Sequence, residues 1–94
     1  MSLHVYRPAP TDNVVQLSPA RRLDTLERKR VGFLGNLKPN CDVLLHTTAE
    51  LMKERLGVAE TVYREKSNCS VGAPISMLDE VASMSDAAVV ALGD

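Results

Sequence analysis

The chain has 94 residues, 45% of them hydrophobic and 24% charged, which describes one globular domain with a single core and excludes both a disordered segment and a multidomain protein. Eleven basic and twelve acidic side chains leave a formal charge of -1, so no long-range field draws the chain to nucleic acid or to an acidic membrane surface. No apolar stretch reaches the roughly 20 residues of a membrane span and the N-terminus MSLHVYRPAPTDN lacks a secretory core, so a cytoplasmic address without membrane or nucleic-acid partners is expected.

Residues 1–22 carry Pro8, Pro10 and Pro19 among polar residues without a sustained period, and read as an extended arm that adds little to the core. Residues 23–94 read as the folded domain. LDTLERKR (23–30) is a charged lead-in, and VGFLG (31–35) is the short continuous apolar run of a strand buried on both faces of a parallel sheet. Asn36–Asn40 make a loop, in which Pro39 disfavours helical backbone at Lys38 and Asn40 is placed to cap a helix over Cys41–Leu56. One face of that helix carries Leu44, Thr48, Leu51 and Arg55, joined by Leu45, Met52 and Leu56, and Gly57 ends it as a left-handed cap.

AETVYRE (59–65) follows as a second strand and KSNCSVGAP (66–74) as a loop. Pro74 starts a second helix at Ile75, with Ile75, Leu78, Val81 and Ala82 at helical spacing. DAAVVAL (86–92) is a third strand, small and β-branched enough for burial on both faces. The order β-α-β-α-β with short connections predicts an α/β fold, three layers deep, forming half of a doubly wound parallel sheet with strand order 2-1-3.

Parallel strands send the loops that follow them to one edge, where such sheets bind ligands. With the first strand central, Asn36, Lys38, Pro39 and Asn40 lie between the loop of Ser67 and Cys69 and the chain end at Asp94, and these seven residues form the predicted site for a small organic molecule or an anion. The free N-H groups opening the first helix, with Lys38 beside them, suit a carboxylate or phosphate. Neither GxGxxG nor GxxxxGK[ST] occurs, so no nucleotide cofactor is expected.

Against this stands the plainer reading of a tight strand-to-helix turn with a solvated lysine. Cys41 and Cys69 are too few for a disulfide framework or a zinc site and are expected to be reduced thiols: Cys41 packed in the first helical turn, Cys69 exposed in a polar loop. His4 and His46 have no ligand partners at metal spacing, so no metal is expected, and no nucleophile, base and orienting group assemble into a catalytic set. Three parallel strands leave exposed edges, from which a homodimer or a partner subunit is expected.

RRLDTLERKRVGFLGNLKPNCDVLLHTTAELMKERLG followed by DAAVVALGD resembles the N-terminal part of the UGSC-motif family, whose members look like distant relatives of the selenoprotein B components of the glycine, sarcosine, betaine and D-proline reductases. The resemblance covers residues 20–94, and its most specific pieces are GNLKPN and the terminal VVALGD. In that family the Gly-Asp after the third strand is followed by selenocysteine or cysteine and then Gly-Ser-Cys. These 94 residues lack that redox pair, so what the resemblance implies for Asn36, Lys38, Pro39 and Asn40 is a loop beside a missing nucleophile. Because UGA encodes selenocysteine and is otherwise read as stop, the resemblance also implies a reading frame closed at an in-frame UGA after Asp94. The implied function is a redox or reductive-cleavage role toward a small organic molecule, with this chain inert by itself. A noncatalytic anion-binding or protein-interaction subunit is the alternative, and a thiol protein using Cys69 a third reading.

Overall fold

The computed structural model describes residues 3–4 and 17–91. The predicted arm therefore falls largely outside the described residues, as does the end of the third strand with Asp94. Within them the order is β1 (Arg30–Gly35), α1 (Cys41–Leu56), β2 (Glu60–Glu65), α2 (Ile75–Met84) and β3 (Ala87–Ala91). The three strands are parallel in the order β2-β1-β3, as predicted.

β1 is central because its sequence suits burial on both sides: every residue from Val31 to Gly35 is buried. Side chains alternate between faces along a strand. Val31 and Phe33 point to one face, where they pack with Cys41, Leu45 and Ala49 of α1 and with Val58. Gly32 and Leu34 point to the other, toward α2, so one helix covers each face of the sheet. The two layers are unequal, since α2 buries only Val81.

Helix α1 has the predicted bounds but a different core face. Cys41, Leu45 and Ala49 are buried, with Met52 packed beside them, while Leu44, Leu51 and Leu56 stay exposed. Leucines occupy two neighbouring stripes of this helix, and contact with Phe33 and Val31 selects the one centred on Leu45. Asn40 also departs from expectation. It precedes the helix in a left-handed conformation (φ 65°) and makes no side-chain cap, although Leu44 N–H still donates to its carbonyl at 3.0 Å. Gly57 ends the helix left-handed, φ 69°, donating to Met52 O.

The third strand corrects another expectation. Standing at the edge of the sheet, β3 is not buried on both faces: Ala87, Val89 and Ala91 are half-buried, whereas Ala88 and Val90 are exposed. Its register is fixed at the start by a reciprocal clamp. Arg30 N–H donates to the Asp86 carboxylate at 2.9 Å, and Asp86 N–H donates to Arg30 O at 2.7 Å. The bond from the Arg30 backbone, then that from its side chain, holds the Asp86 carboxyl below its ordinary value of 3.8. Folded Asp86 therefore binds its proton less readily than unfolded Asp86, so its contribution to stability is present above that ordinary value and is lost as pH falls through the folded one. Asp86→Asn should flatten this acid limb, as read by thermal melts on either side of pH 3.8.

A Cβ at Gly32 would lie 2.6 Å from Val81 Cγ1 and 2.8 Å from Ser85 Oγ, so α2 can rest on β1 only where the strand has no side chain. Gly32→Ala is expected to cost about 1–3 kcal/mol, the range for overpacking a core, measured by urea unfolding.

Candidate functional site

The loops after β1 and β2 leave the sheet at its C-terminal edge, as parallel strands require. The first loop is wound tightly: Leu37 (φ 57°) and Asn40 (φ 65°) are both left-handed and bracket Lys38–Pro39. Asn tolerates that region, but for leucine it costs about 1–2 kcal/mol. Asn36, at the end of β1, is buried; Lys38 is half-buried, and Pro39 and Asn40 are exposed. In the second loop Ser67 is exposed and Cys69 half-buried. Asp94 lies outside the described residues.

Of the described residues among those predicted, Asn36 lines a groove at this edge. A groove of about 290 Å³ opens on the α2 side of the C-terminal edge, lined by Leu34, Gly35, Asn36, Lys66, Ala73, Leu78 and Val90. It exists because α2 leans over β1 and β2 and leaves Val90 of β3 uncovered. Lys66 continues the β1 ladder through N–H to Gly35 O at 3.0 Å, and its ammonium donates to Val71 O across the second loop. An ammonium has three protons to give, so this bond leaves donor capacity at the groove. Leu34, Leu78 and Val90 form the apolar wall, with the Asn36 amide and Lys66 at its polar end.

Sequence reading missed the other six lining residues, Leu34, Gly35, Lys66, Ala73, Leu78 and Val90. Signals existed for two of them: Lys66 directly follows the second strand, and Val90 shares the parity of Leu34 in register with it. Among the described residues, the groove lining holds no thiol, hydroxyl, imidazole or carboxylate. No group of three metal-ligating side chains converges among them either.

The opposite face of the same edge is closed. Cys41 is 1% exposed, and its thiol donates to Ala91 O at 3.3 Å, tying the start of α1 to the end of β3. Cys41 and Cys69 are both free thiols. Tyr63 lies over Gly35, where a Cβ would meet its Oη at 2.6 Å, and its ring stacks on His46 with centroids 4.2 Å apart. Among the described residues the buried Tyr63 hydroxyl makes no well-formed hydrogen bond, although the Glu65 carboxylate is near enough to act on it. Burial first, and then the negative charge of Glu65, push its pKa above the ordinary 10.0.

A buried hydroxyl without a well-formed hydrogen bond costs about 1–3 kcal/mol, so Tyr63→Phe should hold or raise stability. Gly35→Ala should lower it by about 1–3 kcal/mol through collision with that hydroxyl. In the double variant the loss should shrink, a coupling that a double-mutant cycle in urea reads directly.

The profile of the UGSC family matches residues 4–94, from within the N-terminal arm to the last residue. No curated protein and no solved structure is matched by the chain. The family match begins well before residue 20, where the resemblance becomes readable, and spans nearly all of the sequence together with the whole sheet and its edge groove. The chain belongs to the UGSC family.

Proposed function

We propose that this chain is the N-terminal α/β portion of a redox or reductase-type UGSC-family protein and that it binds a small organic molecule or anion at the C-terminal edge of its sheet. The observation that carries the reading is the groove, with an apolar wall and two polar groups at one end, at the edge where open parallel sheets take their ligands. Asn36 and Lys66 hold the polar end of the ligand, and Leu34, Leu78 and Val90 its body. Lys38, Pro39 and Asn40 shape the neighbouring rim, with Ser67 and Cys69 in the second loop as outer contacts. Asp94 belongs to the same site in this reading.

Because no described residue lining the groove carries a thiol or hydroxyl, this reading has the 94 residues bind without turning over. The same lining favours a second reading, a noncatalytic anion-binding subunit. Two free thiols suit a reducing compartment, and no helix among the described residues is long and apolar enough to cross a membrane; the cytoplasm is the proposed address.

Amide NMR titration of the 94-residue chain with glycine, sarcosine, betaine, D-proline and inorganic phosphate separates the two readings. The first expects amide shifts at Asn36, Lys66 and Ala73 with an amino-acid derivative, a roughly tenfold loss of affinity in Lys66→Met, and no reduction of the bound molecule when dithiothreitol is supplied. Shifts with phosphate alone would support the second. No shift at these three residues with any of the five would overturn both.

A further inference from the structure

We infer that the outer edge of β3 is a docking surface for a second copy of this chain, paired antiparallel across a two-fold axis so that the two sheets become one. The two edges of the sheet differ in a way that selects this one. Antiparallel self-pairing of β2 in full overlap sets Glu60 opposite Glu65 at both ends, and like charges directly opposite are destabilising. β3, Ala87–Ala91, has no charge and no proline, the devices by which edges are usually guarded.

The sequence of β3 also complements itself. With Val89 on the two-fold axis, Ala87 faces Ala91 and Ala88 faces Val90 of the other copy. On the α1 side of the sheet the row Ala87-Val89-Ala91 reads the same in both directions. On the α2 side each Val90, 61% exposed, sits beside the small Ala88 of its counterpart. A two-fold axis perpendicular to the sheet keeps like faces together, so both alternations are preserved.

The flanks of the edge are charged beside Ala87 and Ala88, where Arg21, Arg22 and Asp86 line a shared hollow, and apolar farther along. His46 stacks on Tyr63 of β2, so at 100° per residue the stripe of Leu44 and Leu51, on the other side of Leu45, turns toward β3. Both leucines are exposed, as is Leu78 on the α2 side. A five-residue strand alone falls short of the roughly 1,200 Å² that specific interfaces bury, and these flanks extend it.

Sedimentation velocity of the 94-residue chain, from about 10 μM to about 1 mM, should show a concentration-dependent dimer, the range being set by so small an interface. Val90→Lys, at an exposed position, should leave the far-UV circular dichroism unchanged and weaken the dimer about tenfold. The double variant A88E/V90K places a glutamate opposite each lysine in this register and should restore the dimer. A monomer at every concentration would overturn the inference and leave the edge to another chain. A dimer indifferent to Val90→Lys, or one the double variant fails to restore, would overturn it as well.

Discussion

Everything in this fold depends on how closely other groups can approach β1. The strand contributes large side chains where a core is needed and none where a neighbour must come in. Phe33 and Val31 anchor α1 on one face; Gly32 admits Val81 and Ser85 on the other; and Gly35 makes room for the Tyr63 ring. For a chain of this size, which buries a modest share of its surface, fully buried side chains are few, and each such as Phe33 or Leu45 contributes about 1.5–3 kcal/mol. A side chain added at either glycine would push away the layer that shields them.

That division of labour also makes the edge groove. α1 reaches from the rim to the far end of the sheet and is tied down at its start by Cys41, so the α1 side of the C-terminal edge is closed. α2 is shorter, buries one residue, and leaves Val90 outside its cover. The groove is therefore the direct consequence of one helix being a less complete cover than the other. Its polar end follows from topology: Asn36 directly follows the central strand and Lys66 its neighbour, and the parallel ladder brings them together through the Lys66 N–H to Gly35 O bond.

Much of this was legible in the sequence. VGFLG, without alternation, reads as a strand covered on both sides, and the bounds of α1 and the start of α2 after Pro74 follow from glycine and proline chemistry. The core stripe of α1 was not legible, because Leu44 and Leu51 are as hydrophobic as Leu45 and Met52, and only contact with the sheet distinguishes them. β3 misled because alanine and valine suit both central and edge strands, and burial depends on neighbours that lie outside the strand itself. Asn40 has the residue type of a cap, yet its tolerance of left-handed backbone is what the turn uses. Of the candidate site, Asn36 was found from its place after the first strand. Lys66 and Val90 were not, since the groove takes residues from β1, β3, α2 and the second loop.

The thiols bear on what chemistry such a groove can support. A thiolate attacks only if it is exposed and its charge is stabilised. Cys41 fails on the first count, being buried with its proton committed to Ala91 O, and its removal would loosen the end of β3 before it touched any reaction. Cys69 stands in the Asn68–Ser70 turn, where Ser70 N–H donates to the Asn68 side chain, and it does not line the groove. Lys66, the cation at the groove, is spent in part on the Val71 carbonyl, which steadies the loop that holds one wall. In the proposed reading the polar groups at this edge meet a ligand's charge, and none of the described residues lining the groove carries a thiol or hydroxyl to attack it.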